Sequence, residues 1–309
     1  MVFNPIWFRF FVLIHFSKGM SMDAASVTGL LSGFLALFFL LLLKPLAVHV
    51  DLMDRPDHRK IHSGAVPLVG GLSAFLGLCV TWLLEMPLSD GYGLFLACAA
   101  LLVLMGAVDD ACDLPANFRL GSQIALGAAL AYGSGISLDS FGNLLGFGVI
   151  ELGPLGPIVT IAAIIAATNA FNMVDGIDGL TGSLSLVALL SLCWLFSASG
   201  RFPLELTFCL ALAFGLAPYL MANLRIFPFK RKIFMGDAGS MFVGFAVVWL
   251  LVQGTDLERS AFRPVTALWL VAIPLMDMVA IMVRRARKSI GHDARSGPPP
   301  SYLSQSRAY

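Results

Sequence analysis

Residues 169–182 read NAFNMVDGIDGLTG, set between the apolar runs PIVTIAAIIAAT (157–168) and LSLVALLSL (184–192). A helix needs about 20 mostly apolar residues to cross a bilayer, and both flanks extend to that length. The stretch between them is therefore a turn joining two membrane spans. It carries Asn169 and Asn172, three apart, and Asp175 and Asp178, also three apart. Polar groups at membrane depth are costly and generally line a site. Gly176 and Gly179 permit a sharp break and a close approach of ligand to backbone. A short hairpin with Asp and Asn caps is the plain alternative. Caps need one polar residue, and here there are four plus Thr181.

The same pattern runs along the whole chain. Its 309 residues are 58% hydrophobic and 13% charged, with a mean hydropathy of +0.85. Soluble domains carry about 25% charged residues, so a soluble protein with a single anchor is excluded. Apolar stretches predict nine spans at 27–49, 67–86, 92–108, 121–138, 155–171, 180–199, 204–222, 238–254 and 264–283. The expected fold class is all-α, a polytopic membrane helix bundle in the lipid bilayer. Residues 1–26 form an N-terminal extension, 27–288 the membrane domain, and 289–309 a polar tail expected to be disordered. The five cysteines show no metal spacing and imply no disulfide framework, and no cleavable signal peptide is evident.

Nine spans put the termini on opposite sides. The loops at 50–66, 109–120, 172–179, 223–237 and the tail, with Lys44, hold fifteen of the twenty Lys and Arg residues. The positive-inside rule makes that side cytoplasmic and the N-terminus external. All four glutamates (Glu85, Glu151, Glu205, Glu258) fall on the outer side, whereas the acids of the inner loops are all aspartates.

Three further inner-face motifs stand out. VDDACD (108–113) closes the third span. On a continuing helix Asp109 and Asp113 share a face while Asp110 points elsewhere. Three acids without a neighbouring base repel, and an oxygen-coordinated Mg²⁺ would relieve them; a polar helix terminus explains only one or two. KIFMGDAGS (232–240) sets Asp237 between glycines at the start of span eight, where an ordinary N-terminal cap is equally expected. DRPDHRKIHSGAVPLVGG (54–71) brings Arg55, His58, Arg59, Lys60 and His62 to the same face, either as an ordinary basic loop or as a cradle for phosphate oxygens. Asp277, inside span nine, reads as a structural hydrogen-bonding acid. Together these features describe a carboxylate centre ringed by cations, suited to a metal-bound phosphate substrate.

These strings, with GAVDDACDL and VTALWLVAIPLMDMVAIMVRR, resemble in order and spacing the polyprenyl-phosphate N-acetylhexosamine-1-phosphate transferase superfamily. The resemblance covers roughly residues 27–288. It implies transfer of a sugar 1-phosphate from a UDP-N-acetylhexosamine to undecaprenyl phosphate at the bacterial inner membrane, with Mg²⁺, or alternatively Mn²⁺, as cofactor and with no nucleic-acid partner. By position, Asp109, Asp110 and Asp113 correspond to the catalytic acidic motif and Asp237, Asp175 and Asp178 to metal-side residues. Lys60, Asn172, Asn223 and Phe234 correspond to substrate contacts, with Arg59 and His62 in the phosphate cradle. Phe234 matches an aromatic that stacks on uracil in a related transferase. The family's His-x-His-His loop has no counterpart in RRARKSIGHDARSGPPPSYLSQSRAY (284–309), which leaves a catalytically impaired relative as an alternative. A transporter is the other alternative, although its acids would gather near the bilayer midplane.

Overall fold

The computed structural model describes residues 22–55, 64–89, 91–144, 146–256 and 259–293, with side chains between 24 and 287. Helices form where the chain is apolar all round, because in lipid only a helix satisfies every backbone group within one segment. In order they are α1 (Met22–His49), α2 (Gly70–Glu85), α3 (Tyr92–Cys112), α4 (Ala116–Gly133), α5 (Gly156–Val174), α6 (Leu180–Ser199), α7 (Pro203–Asn223), α8 (Gly236–Gly254), α9 (Pro264–Leu270) and α10 (Ala272–Asp293). A short antiparallel hairpin, β1 (Met53–Asp54) with β2 (Val66–Pro67), joins α1 to α2; the all-α expectation did not include it.

The protein is a polytopic helical membrane protein. Among the described residues, six helices are long and apolar enough to cross a membrane, or seven if one bent pair counts as a span. Helix α2, with 16 residues, is shorter than such a span. The expected fourth span lies five residues earlier, because helix α4 starts directly after Pro115. The expected ninth span is broken by 70° into α9 and α10. Pro274 has no N–H to donate to the carbonyl four residues back, at Leu270, where the first piece ends.

Helix α8 is the axis of the bundle. It packs against α5, α3, α2 and α6, and every one of its residues is buried except Asp237. Small residues bring its neighbours to backbone contact, as is common between membrane helices. A Cβ on Gly71 would lie 1.9 Å from the Cα of Gly239, and one on Gly106 would lie 2.4 Å from the Cα of Ala238. Farther along, Phe95 of α3 stacks on Phe245 and Trp249 of α8, with centroids 5.2 and 5.5 Å apart. These crossings fix the beginning of α8 against the end of α3.

Helices α1 to α8 alternate in direction, so two kinds of end separate. One end holds Asp110, Asp175, Asn223 and Asp237. The other holds Glu85, which accepts a hydrogen bond from Thr28 at 2.7 Å, and Glu205, which binds Arg259 at 3.0 Å. The nineteen residues of α8 separate the two ends by about 28 Å.

Candidate active site

The site assembles around the first turn of α8. A helix start leaves backbone N–H groups without partners, and no side chain of the preceding segment caps this one. The cap comes from α3: Asp110 Oδ1 accepts the N–H of Asp237 at 2.9 Å and Oδ2 that of Ala238 at 3.4 Å. Gly236 makes the approach possible. Its φ is +77°, and a Cβ there would stand 2.6 Å from Asp110 Oδ2.

Asp109, one residue earlier, faces differently. Its buried carboxylate accepts the Leu114 N–H at 2.8 Å and Arg119 Nη1 at 2.5 Å. Arg119 Nη1 also reaches Asp237 Oδ2 at 3.3 Å. One guanidinium therefore bridges α3 and α8 from the first turn of α4. The sequence reading missed Arg119, although it is the lone base in the segment 109–120 and stands six residues after the acids said to have none nearby.

Helix α3 stops at Cys112, and Asp113 adopts a left-handed φ of 49°. The chain then turns through Leu114 and Pro115, leaving Asp113 exposed. The expected shared face of Asp109 and Asp113 does not form, because the helix ends before the fourth residue is reached. Asp110, expected to point away, is the residue that meets α8.

The 172–179 turn supplies the other wall. Asn172 lies beside Asp237 and donates to Ser240 Oγ at 3.1 Å. Asp175 ends α5; burial, reinforced by the negative charges of Asp237 and Asp110, pushes its carboxyl up to about 7. Asn169 turns inward, donating to Gln123 at 2.7 Å, a bond between membrane helices of the kind worth about 0.6 kcal/mol. Asp178 is exposed and ion-paired with Lys232, away from the other acids. Asn223 is buried: its oxygen accepts the Gly179 N–H at 2.6 Å, and its amide nitrogen donates to the Ile233 carbonyl at 2.9 Å. It clamps the turn to the segment before α8. Phe234 is half-buried, and its backbone pairs with Pro67 and Gly70 at 2.9 Å. Arg59, Lys60 and His62 lie outside the described residues. The side chain of Asp277, within α10, makes no hydrogen bond among the described residues, so the bonding role expected for it is not seen.

The structure thus gathers Asp109, Asp110, Asp175, Asp237 and Asn172, with Arg119 as the shared cation. Among the described residues no three acidic, histidine or cysteine side chains form a closed cage for an ion. Mg²⁺ does not require one. It usually binds through one or two carboxylates, with substrate phosphates and water completing its shell. Asp237, partly open to solvent, with Arg119 at 3.3 Å and Asp109 and Asn172 beside its carboxylate, fits that role, with Asp175 nearby. Both oxygens of Asp109 and of Asp110 are already engaged by protein donors.

Fold and site together define a class, a multi-pass helical membrane protein with an acid-and-arginine centre at one end of its bundle. The sequence profile of glycosyl transferase family 4 matches residues 92–255, and the chain belongs to that family. Relatives bearing the name undecaprenyl-phosphate alpha-N-acetylglucosaminyl 1-phosphate transferase align over most of it. That of Yersinia pestis is 44% identical over 252 residues, covering 82% of this chain and 69% of the relative. That of Escherichia coli K12 is 43% identical over 264 residues, covering 85% and 72%. That of Pasteurella multocida is 45% identical over 260 residues, covering 84% and 71%. This kinship does not favour the transporter or impaired-relative alternatives.

Proposed function

We propose that the protein transfers an N-acetylhexosamine 1-phosphate, GlcNAc-1-phosphate first among them, from a UDP-sugar to undecaprenyl phosphate. UMP is released, and the product begins an O-antigen or related surface glycan at the bacterial inner membrane. The observation that carries this reading is the placement of Asp237. It is the one residue of the central helix that is not buried, and it stands at the end of the bundle where the basic loops gather. The positive-inside rule makes that end cytoplasmic, and counting the shorter α2 and α4 and the bent α9–α10 pair as passes as well would give nine and put the N-terminus outside.

In the proposed reaction an oxygen of the lipid phosphate attacks the sugar-bearing phosphorus of the donor. The bond from that phosphorus to the bridging oxygen breaks, and UMP leaves with the electron pair. A phosphate monoester has its second pKa near 6, so the nucleophile is already ionised at neutral pH and needs no strong base. Positioning and charge stabilisation then do most of the catalysis. Arg119, held by Asp109, directs its remaining N–H groups to phosphate oxygens. Asp110 keeps the first turn of α8 in place and so sets where Asp237 stands. Asp237 and Asp175 would hold Mg²⁺, or Mn²⁺ in its place, which when bound neutralises charge on the donor diphosphate. Phe234 and Asn172 line the nucleotide side, with Arg59, Lys60 and His62 as further phosphate contacts. Asp113 and Asp178 act at the margin of the site, and Asn223 supports it by clamping the turn.

The test is incorporation of radiolabelled sugar from UDP-GlcNAc, UDP-GalNAc and other UDP-N-acetylhexosamines into extractable lipid, using purified protein and undecaprenyl phosphate with and without Mg²⁺. Divalent-dependent labelling from UDP-GlcNAc is expected. Absence of labelling from every donor would refute the assignment.

A further inference from the structure

A cavity opens at the acid-bearing end, bordering the candidate site through Lys232 and Pro67. It is a cleft of about 800 Å³ between the last turns of α1, the β1–β2 hairpin and residues 225–232. Lys44, Arg225, Lys230, Arg231 and Lys232 line it, and none of its described lining residues is acidic. Lys232 is paired with Asp178. The other four have no carboxylate partner among the described residues. Four unneutralised cations around one cavity repel each other, and an anion seated among them removes that cost.

The outer wall indicates which anion. Helix α1 is peripheral, packing on α2 and α7, and leaves Phe34, Phe38, Leu41 and Leu42 more than half exposed. Leu41 and Val48, 57% and 63% exposed, stand three residues before and four after Lys44, on the same helical stripe. The basic cleft therefore runs directly into an apolar strip facing lipid. A soluble anion would use only the cations, whereas a headgroup with attached chains uses both parts. Lys232, at the edge of this cleft, is paired with Asp178 of the 172–179 turn, and Asn223 clamps that turn to the segment before α8.

We propose that the cleft binds the phosphate headgroup of an anionic phospholipid, with the acyl chains lying along the Leu41 flank of α1. Basic pockets at the cytoplasmic ends of membrane helices suit such headgroups. The inference rests on the membrane-spanning fold and not on the transferase reading, so either can fail without the other.

The test uses the full chain in mild detergent, titrated with mixed micelles of phosphatidylglycerol or phosphatidylcholine, with bound lipid counted by native mass spectrometry. The wild type is expected to retain phosphatidylglycerol in preference to phosphatidylcholine, more weakly at high salt. Lys44→Gln with Arg231→Gln should weaken retention at least tenfold, taking about fivefold per charge removed, with unchanged thermal stability in phosphatidylcholine. Should that pair fail to fold, Lys230→Gln decides, with about a fivefold loss expected. Unchanged phosphatidylglycerol retention in the folded variants overturns the proposal. So does displacement of the phospholipid by equimolar inorganic phosphate, UDP or undecaprenyl phosphate, which would make the cleft a substrate site.

Discussion

Asp110 of α3 caps α8 in trans, its carboxylate accepting the N–H groups of Asp237 and Ala238. Losing a side-chain cap typically costs about 1 kcal/mol. Asp110→Ala should therefore lower the thermal midpoint in detergent and disable transfer, since Asp237 loses its support. Asp110→Asn, which retains one acceptor oxygen, should be better folded yet still inactive. Equal activity of Asp110→Asn and wild type in the radiolabel assay would remove Asp110 from the site.

Asp237 behaves differently because an asparagine there keeps an acceptor oxygen for Arg119 but not the charge. Asp237→Asn should leave thermal stability within about 0.5 kcal/mol of wild type and reduce transfer by ~10²-fold or more. Arg119→Ala should do both kinds of damage. It leaves the buried Asp109 oxygen without its donor, at a cost of about 1–3 kcal/mol, and removes the proposed phosphate contact. Paired unfolding and turnover measurements separate the two patterns.

Gly236→Ala tests the local geometry. A left-handed backbone costs an L-residue about 1–2 kcal/mol, and the added Cβ would meet Asp110 Oδ2 at 2.6 Å. Loss of transfer with the bundle still folded is expected. A fully active Gly236→Ala protein would show that the approach of Asp110 to α8 is dispensable.

Asp175 sets a pH dependence. Burial raises its carboxyl from the ordinary 3.8 to about 7, so the folded chain holds this proton more tightly than the unfolded one. That contribution to stability is complete below about 4 and is lost as pH rises through 7. A divalent cation competes with the proton. The rise in melting temperature on adding Mg²⁺ should be larger at pH 8 than at pH 6, and Asp175→Asn should flatten the difference. The same Mg²⁺ response at both pH values in the wild type would contradict this.

Cys112 offers a natural probe of orientation. It is the exposed cysteine, two residues beyond Asp110, while the other four are buried or half-buried. An impermeant maleimide should label it in inside-out vesicles or permeabilised cells and spare it in intact spheroplasts. Labelling in intact spheroplasts would place the acid cluster on the wrong face for a cytoplasmic donor.

The helices and the collection of acids at their ends were legible in the sequence because both depend on local composition. Runs such as 157–168 and 184–192 must be helical in lipid whatever surrounds them, and the acids of VDDACD, NMVDGIDGL and KIFMGDAGS lie where such runs stop. What each acid does depends on contacts between segments distant in sequence. The Gly71–Gly239 and Gly106–Ala238 crossings set how far α8 rises beside α3, and so decided that Asp110 caps α8. The early stop of α3 turned Asp113 outward, and the start of α4 brought Arg119 back to Asp109 and Asp237. Helical periodicity carries no information on such meetings, because they depend on the packing distance between backbones, which only the folded bundle sets.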